Sequence, residues 1–119
     1  MDISGRHEED GEYLMVAAAV HARVDASRIR GVEGVEFATR AAEPTLEDTL
    51  AVTREAVRRL PAAPAGPVVA EHGEFYGASA SRVSYAFETE FKYVESIAER
   101  ETVQAAHHAA YAARGLILP

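Results

Sequence analysis

Apolar positions are distributed along the chain in two distinct ways: short continuous or alternating runs, and one stripe at helical spacing. Residues 12–24, EYLMVAAAVHARV, are nearly unbroken in apolarity. Gly11 precedes them, and Val16, Val20 and Val24 are β-branched, which predicts a strand covered on both faces despite the alanines. In residues 32–39, VEGVEFAT, Val32, Val35 and Phe37 are interleaved with Glu33 and Glu36, predicting a more exposed strand with a bulge at Gly34. EPTLEDTLAVTREAVRRLP predicts the clearest helix. Thr45 is a good N-cap with Asp48 three residues on, close to a capping box. Leu46, Leu50, Val57 and Leu60 form one stripe with Thr53 in register, and Pro61 ends the helix.

The remainder is shorter. PAAPAGP is a stiff connector. PVVAEHG predicts a buried strand ending in Glu71, a helix is expected around 78–88 after a turn at Gly77, and FKYVES at 91–96 predicts another strand. ETVQAAHHAAYAARG predicts a last Ala-rich helix ended by Gly115, with LILP as an apolar tail. With Asp2 in a first short strand, the order is β-β-β-α-β-α-β-α. Consecutive strands favour a meander, and strands that follow helices favour parallel right-handed crossovers. The expected fold is α/β, one mixed five-stranded sheet covered by helices, in a single domain over 1–119.

Composition narrows the chemistry. The absence of cysteine excludes disulfides, thiol catalysis and thiolate metal sites. No apolar run approaches the roughly 20 residues of a membrane span, and the start is acidic and polar, unlike a signal peptide; a soluble cytoplasmic protein is expected. The net charge of −7 opposes nonspecific binding to phosphate backbones. Lys92 is the only lysine among twelve basic residues. The arginines between 23 and 59 are interleaved with acids, so a mixed solvated surface is expected there. Ser4 stands in no nucleophile elbow or ordered triad, and the glycines form no phosphate-loop spacing.

The element order, together with D-I-S-G at 2–5 and G-E-Y-L-M-V-A-A-A-V at 11–20, resembles the ribonuclease H-like superfamily. The chain also resembles an uncharacterised conserved archaeal family. In the ribonuclease H-like superfamily the first strand carries an Asp, a second carboxylate lies near the first helix, a third ends the fourth strand, and a fourth ligand sits on the last helix. The resemblance implies a divalent-metal-dependent phosphodiester hydrolase acting on nucleic acid with Mg²⁺ or Mn²⁺. Carried over residue by residue, Asp2 and Glu71 match the first and third positions. Glu47 or Asp48 matches the second, though capping explains both equally. Q-A-A-H-H-A at 104–109 resembles the D-A-A-D-A-hydrophobic pattern of the Holliday-junction resolvase branch, which puts Gln104 and His107 where carboxylates are usual. The implied site is Asp2, Glu71, Glu47 and His107, with Asp2, Glu71 and His107 as metal ligands. His can hold Mn²⁺, whereas two-Mg²⁺ chemistry prefers oxygen.

The acidic set is therefore incomplete. The competing expectation is a non-catalytic domain of the same fold that binds a partner or forms a homo-oligomer. Convergent carboxylates favour the enzyme; a lone Asp2 with Glu71 salt-bridged to an arginine favours the binding domain. His107 and His108 point about 100° apart on a helix, so at most one faces Asp2. Val103, Ala106 and Ala110 form a small-residue stripe that His107 flanks, so His107 is the expected one. His72 should face away from Glu71. His21 is expected to be a hydrogen-bonded core residue and His7 a solvated one.

Overall fold

A computed structural model describes residues 1–5, 12–63 and 65–117. Among the described residues the order is β1 (Asp2–Ser4), β2 (Met15–Val24), β3 (Ile29–Arg40), α1 (Leu46–Arg58), β4 (Val68–Ala70), α2 (Ala80–Phe87), β5 (Phe91–Tyr93) and α3 (Ile97–Ile117). This is the expected sequence of elements. The single mixed sheet is corrected: backbone ladders form an antiparallel sheet β1-β2-β3 and a separate parallel pair β4-β5. Hydrogen bonds join them. The Met1 ammonium donates to the Val69 carbonyl at 2.9 Å, and the Ile3 N–H donates to Glu74 Oε1 at 2.9 Å. A side-chain carboxylate thus takes the place of the next strand acceptor, because β4 has already ended at Ala70.

β2 is the central strand. It pairs with β1 in the register Asp2↔Ala18 and with β3 along its whole length. Met15 to Ala19 are at most 3% exposed, as a strand covered on both faces must be. The expected bulge falls one residue from Gly34: His21 pairs with Gly34 and Ala22 with Val32, leaving Glu33 as the extra residue.

Alternation sorts β1 and β2 onto two faces. Met1, Ile3, Met15, Ala17 and Ala19 join the larger core, with Leu50, Val52 and Ala56 of α1 and Phe75, Phe87 and Phe91 from the β4–β5 half. The three phenylalanines meet edge to face at 5.6–5.8 Å. On the other face Ala18 packs with Ala106 and Ala110 of α3, flanked by Val20 and Phe37. Asp2 pairs with Ala18, so it lies on the α3 face.

α1 starts as its sequence dictates. Thr45 Oγ1 accepts from Asp48 N at 3.1 Å, and the Asp48 carboxylate accepts back from the Thr45 hydroxyl at 2.9 Å. Thr49 and Thr53 are fully buried because their hydroxyls donate to the carbonyls of Leu46 and Thr49, both at 2.8 Å. The end of the chain differs from expectation. The strand at 91–96 stops at Tyr93, and α3 begins at Ile97 rather than near Glu101. Ser96 and Glu99 form a reciprocal cap: Ser96 Oγ accepts from Glu99 N at 3.1 Å, and Glu99 Oε1 accepts from Ser96 N at 3.0 Å. Gly115 does not end the helix, which runs on to Ile117. Among the described residues no helix is long and apolar enough to cross a membrane.

Candidate functional site

β1 is short because Gly5 turns it. Gly5 has φ of +91°, and a Cβ there would lie 1.9 Å from the Leu14 carbonyl and 2.3 Å from Arg114 Nε. Only glycine fits. Arg114 in turn is buried and donates from Nε to the Leu14 carbonyl at 2.9 Å, tying the far end of α3 to the chain entering β2. The D-I-S-G stretch is thus pinned at both ends, and Asp2 is held at 8% exposure under α3.

His107 reaches Asp2 from above. Ala106 and Ala110 are fully buried, so the helix backbone lies close on the sheet. His107, next to that stripe, has Nδ1 at 3.1 Å from Asp2 Oδ2. An ionised carboxylate only accepts, so Nδ1 carries the proton in this contact. The imidazole side chain is 57% exposed and the Asp2 side chain 11%, so the pair bridges interior and solvent. His108 and Gln104 are exposed on the helix. The expectation that His107 rather than His108 faces Asp2 agrees with this geometry.

The other expected residues have different partners. Glu71 follows β4 directly, and its Oε2 lies 3.5 Å from Nη1 of Arg100 on α3. The two side chains are 41% and 55% exposed, so this is a surface ion pair. Glu47 stands in the first turn of α1, across the sheet from Asp2, with its side chain 80% exposed and Oε1 at 3.3 Å from Arg82. His72 has partners other than Glu71: its Nε2 is 3.1 Å from the Val94 carbonyl, and its ring stacks on Tyr93 at 5.2 Å. His21 is partly buried, with Nε2 at 4.0 Å from Glu33. His7 lies outside the described residues.

Sequence reasoning missed Glu74. It sits in the tight turn after β4, where Gly73, Tyr76 and Gly77 all have positive φ. It is only 8% exposed and caps the Ile3 N–H. No local pattern marks it, because its partner is 71 residues away. Glu74 and Asp2 both attract the Met1 ammonium. That attraction is outweighed by burial, which lowers the ammonium's pKa from 8.0 to about 6.

Among the described residues, no group of three or more His, Asp or Glu side chains is arranged to hold a metal ion. Asp2 and His107 supply one oxygen and one nitrogen. The ring nitrogen is a softer donor than the oxygens Mg²⁺ prefers. The charged arginines expected to make a mixed surface do so. Arg54 and Arg58 both bridge to Glu88 at 3.0 Å, and Arg40 to Asp48 at 2.5 Å.

Among known proteins, the chain is 29% identical over 119 residues to "Uncharacterized protein MJ0095" of Methanocaldococcus jannaschii, covering 99% of this chain and 94% of that protein. No solved structure matches it. The family model described as "Uncharacterized protein conserved in archaea (DUF2209)" matches residues 1–118, and the chain therefore belongs to that archaeal family.

Proposed function

We propose that the chain is a ribonuclease H-like domain that works by binding a partner rather than by two-metal hydrolysis. The fold half of this reading rests on strand order. β3-β2-β1 run as one antiparallel meander, β4-β5 as one parallel pair, and the Met1–Val69 hydrogen bond sets β1 beside β4. The observation that carries the functional half is the fate of Glu71. Its carboxylate forms a surface ion pair with Arg100 at 3.5 Å, while Asp2 is engaged by His107 at 3.1 Å. Each carboxylate thus has its own partner on α3, and a metal shared by the two would have to displace both contacts.

A second reading, a metal-dependent phosphodiester hydrolase using Mn²⁺ or Mg²⁺, has one observation in its favour. Asp2 and His107 meet where the resemblance puts a ligand pair. Incubation with single-stranded, duplex and branched DNA and RNA, with Mn²⁺ or Mg²⁺, separates the two. The binding-domain reading expects no cleavage above the level of Asp2→Asn. Metal-dependent turnover that Asp2→Asn abolishes would replace it with the hydrolase.

A further inference from the structure

β3 is 12 residues long and pairs with β2 along one edge; its other edge carries no strand among the described residues. An open edge of that length invites pairing with another chain. Toward its end Arg59 Nη1 donates to the Phe37 carbonyl at 2.7 Å, so Phe37 is already engaged from outside the sheet. The open stretch therefore runs over residues 29–36.

This stretch is irregular. Its ladder with β2 slips twice, leaving Glu33 and Arg30 as extra residues. Ile29, Val32 and Val35 pair with Val24, Ala22 and Val20, which lie on the same face of β2 as Ala18, the face of α3. The three β-branched side chains thus share a face at a spacing of three residues rather than two. Val24, Val32 and Val35 are exposed there, because α3 packs only as far out as Val20 and Phe37. A regular strand, whose faces repeat every two residues, cannot follow this edge without a bulge of its own. A second copy of β3 carries the matching irregularity. Laid antiparallel about a two-fold axis at Val32, it sets Val32 against Val32 and Ile29 against Val35, all on one face. The charges agree with the same register. Ion pairs join Arg23 to Glu33 and Arg30 to Asp25, and leave Arg28 and Glu36 without one among the described residues. The two-fold puts Arg28 opposite Glu36, twice. Glu33 and Arg30 then stand opposite Gly31 and Gly34, so no like charges meet. Moving the axis one residue, to Glu33, would instead set two Glu33 carboxylates face to face.

We propose that the chain forms a two-fold dimer through the β3 edge, with residues 28–36 of two copies paired antiparallel around Val32. The dimer joins the two antiparallel sheets into one and carries the apolar face of Val24, Val32 and Val35 across the axis. This goes beyond the binding reading above and fails separately from it, because metal and nuclease assays do not probe the β3 edge.

The test is analytical ultracentrifugation of the whole chain over a range of concentrations. Wild type should show a monomer–dimer equilibrium. Val32→Lys, which puts two ammonium groups at the axis, should be monomeric with an unchanged circular dichroism spectrum. Arg28→Glu and Glu36→Arg should each weaken the dimer at least about tenfold, and the two together should restore it. The chain has no cysteine, so one introduced thiol reports only on its own symmetry mate. Under mild oxidation Val32→Cys should link two copies through a disulfide, since directly opposed Cβ atoms lie about 4.5–5.5 Å apart. Val35→Cys, off the axis, should not. A wild type that stays monomeric throughout, a dimer indifferent to Val32→Lys, a double charge reversal no tighter than the singles, or equal cross-linking at 32 and 35 would overturn the proposal.

Discussion

Glu74→Ala removes the acceptor of the Ile3 N–H without touching β1 itself. Ile3 is 6% exposed, so the orphaned donor stays buried. Leaving a buried donor unmet costs about 1–3 kcal/mol, toward the upper end when the lost acceptor is charged. Glu74→Gln keeps a carbonyl oxygen at the same reach and gives up only the charge, so it should cost about 1 kcal/mol. For 119 residues the entropy of unfolding is about 0.25 kcal/mol per degree, so 1 kcal/mol corresponds to about 4 °C. The alanine variant should therefore melt about 8–12 °C below wild type and the glutamine variant about 4 °C below. The lost charge is also pH-dependent. Glu74 attracts the Met1 ammonium, so Glu74→Gln should cost more at pH 6 than at pH 8, where the buried amine is neutral. Denaturant titrations at the two pH values give all four numbers. Equal losses for alanine and glutamine, or an alanine loss under about 0.5 kcal/mol, would refute the role given to Glu74 in joining the two sheets.

Three further outcomes follow from the same region. The Met1 amine has a folded pKa of about 6 against 8.0 unfolded, so the unfolded chain binds more protons between those values. Stability should rise from pH 6 to pH 8, by up to about 2–3 kcal/mol. N-terminal acetylation should flatten that rise, as equilibrium unfolding of the two forms will show. Gly5→Ala forces a Cβ to 1.9 Å from a backbone carbonyl at φ +91°, so it should cost more than about 3 kcal/mol and lower the yield of folded protein. His107→Ala should destabilise by about 0.5–1.5 kcal/mol through the lost Asp2 contact, with His108→Ala near neutral, by thermal melting.

Local patterns in the sequence foretold much of this fold. Thr45 and Pro61 bracket α1 because a cap and a stop act within one turn. The apolar run at 12–24 named the central strand because burial on both faces leaves no polar alternation. Helical angle allowed only one of His107 and His108 to face Asp2, and the stripe of Val103, Ala106 and Ala110 chose His107. Where the partner is remote, the sequence was silent. The glutamates at 71 and 74 are three residues apart and chemically identical, yet one meets Arg100 at the surface and the other is buried against β1. Glu47 carries the same charge on the opposite face of the sheet. The start of α3 was missed for a local reason: Glu95 and Ser96 look like strand continuation until Glu99 is seen to close the cap.

The claim that Asp2 serves as a structural partner of His107, rather than as half of a metal pair with Glu71, is tested most directly by Mn²⁺ binding. Isothermal titration of Mn²⁺ into wild type, Asp2→Asn and Glu71→Gln should give the same weak, non-stoichiometric heats for all three. One-site binding by wild type that both substitutions abolish would contradict the account. It would return the chain to the metal-dependent hydrolases its sequence resembles.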